Sequence, residues 1–224
     1  MLTNESRKRT PCATYAPMQR RLLLTKSTVL TLTAPIFHFS TTLCAKQTPA
    51  MPKNETPKRL VVFYSRAGQN YAAGEIVDLS VGNTERLART LAEKIGADLY
   101  EIKTVETYPV DYRETTEVAQ KELDADVRPA ILDELPDIST YDAIYLGYPI
   151  WWGRAPRVIL TFVEHFDWTG KTIHLFCTHE GSGIGQSAAE LRPKLKGALV
   201  HAELSLAGYR IVERESAVDR YLRK

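Results

Sequence analysis

The sequence predicts an α/β fold, a parallel sheet covered by helices on both faces. Two observations carry this. Leu60-Val61-Val62-Phe63-Tyr64 and Ala143-Ile144-Tyr145-Leu146-Gly147-Tyr148 are continuous apolar runs, as strands buried on both faces require. Segments of helical spacing alternate with such runs, and that alternation implies parallel strands joined by helical crossovers.

The elements follow in order. After the 60–64 strand, Leu87, Leu91 and Ile95, with Ala88 and Ala92, mark one face of a helix. Asn83 and Thr84 sit where its N-cap belongs. Asp98 to Ile102 alternates as a shorter strand. Asp111 to about Asp126 is polar and helix-compatible. The 143–148 strand leads to a helix opened by Pro156 and carrying Val158, Ile159, Phe162, Val163 and Phe166, proline being tolerated at a first helical position. Ile173 to Cys177 is the next strand. Ala188, Leu191 and Leu195 mark another helix, Ala198 to Leu206 a last strand, and Ser216 to Leu222 a short final helix.

Sheets of this kind bind ligands beyond the carboxyl ends of their strands, and three loops there are unusual. The first runs Ser65-Arg66-Ala67-Gly68-Gln69-Asn70-Tyr71, wanders through residues 72–81 and resumes as Gly82-Asn83-Thr84 at a helix start. Small residues admit an anion, and the N–H groups of a helix N-terminus point at it. Ser65 and Thr84 add hydroxyls. No lysine stands in a Gly-Lys-Ser/Thr arrangement, which excludes a nucleoside-triphosphate loop. A simple glycine-containing turn would look similar. The second loop is Pro149-Ile150-Trp151-Trp152-Gly153-Arg154. Side chains of adjacent residues diverge, so one tryptophan is expected in the core and the other against a planar ligand. Gly153 permits a backbone conformation that other residues avoid. Packing on a neighbouring helix is the alternative. The third loop, Thr178-His179-Glu180-Gly181-Ser182-Gly183, is glycine-rich and leads into a helix. Backbone donors there suit the edge of a flat ligand. His179 reads as a hydrogen-bonded surface residue, and Cys177 as a buried small hydrophobe. No catalytic side chain and no metal site are expected.

Together these loops resemble the flavodoxin family, in particular members with an interrupted phosphate loop. The resemblance runs from about Arg59 to Leu206. Its most specific pieces are Gly147-Tyr148-Pro149-Ile150-Trp151-Trp152-Gly153 and Cys177-Thr178-His179-Glu180-Gly181-Ser182-Gly183, with Gly82-Asn83-Thr84 in support. It implies a five-stranded sheet of order 2-1-3-4-5 and FMN as cofactor. Ser65, Ala67, Gly68, Asn83 and Thr84 then match the phosphate-binding segment, and Arg66 beside them is counted with the cofactor-binding residues. Pro149 to Gly153 cover one face of the ring, and Thr178 to Gly183 run along its edge. A backbone carbonyl near Gly153 is expected to accept a hydrogen bond from a ring N–H. Ala67 stands where the family often has threonine, and Glu180 where relatives often have glycine. These departures imply weaker FMN binding or a lowered reduction potential.

The resemblance implies a carrier passing single electrons between partners, the flavin supplying the redox chemistry. An NAD(P)H-dependent quinone or FMN reductase is the alternative on this fold, and a flavin-free interaction module the third. Residues 111–142 hold ten acids against Arg113, Lys121 and Arg128, a surface able to steer a basic redox partner.

The 224 residues, 44% hydrophobic and 25% charged, exclude a disordered or collagen-like chain. The net charge of +2 gives no footprint of nucleic-acid binding. It averages two unlike parts. Residues 1–45 carry six Lys+Arg against Glu5, or +5, leaving 23 against 26, or −3, for the remainder. Gln19-Arg20-Arg21-Leu22-Leu23-Leu24, followed by the uncharged stretch Ser27 to Ala45, resembles a twin-arginine export signal. The expectation is a leader over 1–45, a linker over 46–58 and one domain over 59–224, exported to a bacterial periplasm. Cleavage after Ala45 or Ala50 and a start at Met18 stay open, as do an uncleaved membrane anchor and a cytoplasmic protein. The apolar stretch, diluted by five threonines and Pro35, is a poor membrane span. Two of the three cysteines, Cys12 and Cys44, fall in the leader, which leaves Cys177 in the domain.

Overall fold

A computed structural model describes residues 56–201, 203–211 and 215–223. The expected leader lies outside these residues, as does most of the linker. Arg59–Phe63 (β1), Asp98–Glu101 (β4), Ala143–Pro149 (β5) and Thr172–His179 (β6) form an all-parallel sheet in the order β4-β1-β5-β6. The last strand is broken. Leu199–Val200 (β7) pairs with Thr172 and Ile173, and Leu204–Ala207 (β8) pairs with Phe176 to His179. Counted as one strand, the two pieces complete the expected order.

Alternate residues of each strand face opposite sides. Val61, Phe63 and Phe176 meet Leu87, Leu91, Val218 and Tyr221 of helices Asn83–Ile95 (α1) and Glu215–Leu222 (α5). Leu60, Val62, Leu146 and Leu175 meet Val158, Ile159, Phe162 and Leu191 of Arg157–His165 (α3) and Ser187–Leu191 (α4). Tyr112–Asp124 (α2) packs beside α3. Helices therefore cover both faces. Among the described residues, no helix is long and apolar enough to cross a membrane.

Three local expectations are corrected. The N-cap of α1 is Gly82, one residue before Asn83. Pro156 is the N-cap of α3, its first helical residue being Arg157. The wandering segment 72–81 belongs to an antiparallel hairpin, Gly68–Ala72 (β2) with Glu75–Leu79 (β3), separate from the main sheet. Its two-residue turn, Ala73-Gly74, has positive φ at both positions (54° and 102°), as the primed turns that match strand twist require.

Candidate functional site

The carboxyl ends of β1, β5 and β6 open into a cleft of about 410 Å³. Twelve of the seventeen residues expected to bind a cofactor line it: Ser65 and Arg66, Asn83 and Thr84, Pro149 to Trp152, Thr178 to Glu180, and Ser182. The other five do not line it. Ala67 is exposed. Gly68 begins the hairpin and packs against Val110. Gly153 shapes the tryptophan turn. Gly181 and Gly183 shape the third loop with positive φ.

At one end, the first N–H groups of α1 lack partners within the helix, as at every helix start. The Ser65 hydroxyl accepts the Glu85 N–H at 3.1 Å, which leaves its own proton to donate. Thr84 and Thr178 share a hydrogen bond of 2.7 Å between their hydroxyls, so one of the two protons is left over. Gly82 lies so close to the first loop that a Cβ would overlap Ser65 Oγ and come within 2.6 Å of the Arg66 carbonyl oxygen. This tight junction brings the two halves of the interrupted loop together at one end of the cleft.

Arg66 lines the cleft and also organises the first loop. Its guanidinium donates to the carbonyls of Pro109 (2.6 Å), Val110 (2.6 Å) and Asp111 (3.3 Å), and to that of Gln69. It clamps the 109–111 segment to the first loop, its N–H groups donating to backbone oxygens. Asn70 Nδ2 donates to the carbonyls of Gly68 (2.9 Å) and Arg66 (3.3 Å) and pins the same loop.

The two tryptophans diverge. Trp151 packs edge-on against Tyr64 and Tyr108, with centroids at 5.6 and 5.0 Å. Trp152 is 56% exposed and donates from Nε1 to the Thr116 carbonyl of α2 at 2.9 Å. Trp151 and Arg154 exchange both backbone hydrogen bonds at 2.9 Å, with Trp152 (φ 50°) and Gly153 (φ 73°) as central residues. This is a primed turn with a bulky residue at φ > 0, an outlier of the kind that clusters at functional sites. The Gly153 carbonyl accepts the Gln186 N–H at 2.7 Å. It thus ties the tryptophan turn to the third loop.

The third loop carries two titratable groups, both engaged. His179 Nδ1 accepts the Gly181 N–H at 3.0 Å, and burial lowers the imidazole pKa. The Glu180 carboxylate accepts N–H groups from Ala73 in the hairpin turn (3.3 Å) and from Gly208 and Tyr209. Burial nevertheless raises its pKa, against these hydrogen bonds. Glu180 therefore ties the hairpin to the segment after β8. Cys177 is fully buried and hydrogen-bonded to Ser205 at 3.4 Å, and burial pushes its thiol up to about 11. It is chemically quiet at neutral pH.

Sequence reasoning missed one wall of the cleft. Tyr112, Thr115, Thr116 and Ala119 of α2 line it, as do Asn70 and Tyr71 of the hairpin. Tyr71 stacks on Tyr112 at 6.1 Å. The spacing of Tyr112, Thr115, Thr116 and Ala119 marks one face of a helix, and that was the available signal. The acidic segment is less free than its composition suggests. Asp111 and Asp137 cap helices, Glu122 accepts the Tyr108 hydroxyl and Asp142 accepts the Lys58 N–H. Asp126 pairs with Arg128 and Arg157.

Comparison with known proteins gives a consistent likeness. The sequence model of one family, described as flavodoxin, matches residues 77–215. A search of curated proteins finds no match. Among solved structures, the chain is similar to a protein of Bacteroides eggerthii described as a flavoprotein, with 32% identity and a TM-score of 0.60 over 75% of this chain and 97% of that one. A similarly described protein of Bacteroides uniformis gives 29% and 0.57 over 76% and 100%. A flavoprotein of Lactobacillus acidophilus, solved in complex with FMN, gives 21% and 0.51 over 72% and 99%.

Proposed function

Since this chain belongs to the flavodoxin family, we propose that it binds FMN in the cleft and passes electrons between redox partners. The observation that carries this reading is the meeting of an anion cradle and an exposed tryptophan in one cleft at the carboxyl ends of parallel strands. The donor set fits the group. The cradle offers uncharged N–H and O–H donors at a helix N-terminus, which suit a phosphate monoester. The junction at Gly82 is a close approach that a Cβ would fill.

When bound, FMN supplies the one-electron chemistry. The chain's own residues bind and orient. Ser65, Thr84 and the first turn of α1 hold the phosphate. Trp152, exposed in the cleft wall, would cover the ring and exclude water, and the 178–183 loop would lie along its edge. His179 and Glu180 are held by backbone N–H groups, an arrangement that suits chemistry needing no protein acid or base. The exposed acids Glu114 and Glu117 belong to α2, the helix that walls the cleft, and would steer a basic partner.

The absorption spectrum of the purified protein tests the reading. Flavin bands should survive gel filtration and persist when NADPH is added anaerobically. Bleaching by NADPH without a second protein would replace the carrier with a reductase. A colourless protein that fails to quench FMN fluorescence would point to a flavin-free module.

The proposal extends to export. The basic and then uncharged stretch of residues 1–45 supports a twin-arginine leader, a route that suits a domain folded around its cofactor. Changing Arg20→Lys and Arg21→Lys together should trap the precursor in the cytoplasm, scored by fractionation. Normal export of that variant defeats this part of the reading.

A further inference from the structure

Arg157 is a buried charged residue and Glu190 a partly buried one, and neither has a part in the function just described. Arg157 is 3% exposed. Its Nη1 donates to Glu190 Oε1 at 2.7 Å, and its Nη2 reaches Asp126. Glu190 Oε2 is buried without a hydrogen-bond partner and lies 3.5 Å from Arg154 Nη1. One carboxylate on α4 therefore faces two guanidiniums. Arg154 closes the tryptophan turn, and Arg157 opens α3.

That turn needs outside support. Trp152 sits at φ 50°, and such conformations persist where the surroundings over-determine them. The third loop supplies part of the restraint. Gln186 donates to the Gly153 carbonyl, and Gly185 lies against that carbonyl so closely that a Cβ would overlap it. Glu190, one helical turn after Gln186, reaches back to Arg154. With the Arg154 side chain 39% exposed, this ion pair adds little stability. Fixing one geometry is a better account of its presence here.

We propose that Glu190 is a positioning residue. Through Arg154 it holds the tryptophan turn against the third loop, so that Trp152 presents a fixed face to the cleft. The consequence for ligand binding rests on the reading that the cleft holds FMN. The loop on the ring's face and the loop along its edge would then move as one body, joined by Glu190 and Gln186.

The test uses Arg154→Gln and Glu190→Gln in the full chain. The readouts are hydrogen exchange of the Trp152 indole N–H by NMR in flavin-free protein, and FMN affinity. Arg154→Gln should speed indole exchange and raise the FMN dissociation constant about tenfold with little change in Tm. Glu190→Gln should do the same and also lower Tm, because it leaves Arg157 buried with less compensation. The double variant should bind FMN no worse than Glu190→Gln, as expected for residues acting through one contact. Unchanged indole exchange in Arg154→Gln overturns the proposal, and this variant decides it if Glu190→Gln does not fold. If the parent protein binds no FMN, the proposed function fails, and indole exchange still decides the positioning role.

Discussion

Gly82→Ala should raise the FMN dissociation constant at least about a hundredfold, roughly 2.8 kcal/mol, without unfolding the domain. Gly82 has φ −64° and ψ 151°, which alanine adopts freely, so backbone strain plays no part. The effect is steric. The new Cβ would overlap Ser65 Oγ and press on the Arg66 carbonyl oxygen at 2.6 Å. A hydroxyl can rotate away, but a backbone carbonyl held in a clamped loop cannot. Ser65 also caps α1 through Glu85, so displacing it moves the donors on both sides of the cradle. Fluorescence quenching on FMN titration measures the loss, and far-UV circular dichroism checks the fold. Affinity within about threefold of the parent, well under 1.4 kcal/mol, would mean that the phosphate sits elsewhere.

Gly147→Ala should lower stability by about 2–3 kcal/mol, in the range for overpacking a tight core. Gly147 lies between Phe63 and Phe176 in the register of three neighbouring strands. The Phe176 ring, fully buried, lies flush against it, and a Cβ would overlap the ring. Neither the ring nor the strand has room to retreat, because α1 and α5 close the same face. Thermal unfolding of flavin-free protein should show Tm falling by about 5–10 °C. Adding Phe176→Leu should restore part of the loss. An unchanged Tm would show that the strands separate at low cost.

Much of the sheet was legible because burial on both faces leaves an unmistakable pattern. The runs 60–64 and 143–148 are apolar at every position except Gly147, and the parallel strands β1 and β5 fall on them. The hairpin was illegible for the converse reason. Glu75, Ile76 and Asp78 are all exposed, so no alternation marks β3, and its turn is Ala-Gly rather than the usual Asn-Gly. The loops that form the cleft could be picked out because their place follows from strand direction. The α2 wall was missed because its residues belong to a helix that reads as solvent-facing and acidic. The engagements of Arg66 and Glu180 were out of reach, since their partners lie 43 and 107 positions away and are backbone groups, which any sequence would offer.

The hairpin also bears on how the cradle assembles. An unstructured insertion between Arg66 and Gly82 would add loop-closure entropy to the cost of bringing them together. Here Gly68 pairs with Leu79, so the insertion closes on itself, and hairpins form within about 1–10 μs. Its pairing delivers Arg66 and Gly82 to each other as near neighbours. The insertion thus adds little to the chain length that must close between the two halves of the cradle, while Thr178 joins it only across the sheet.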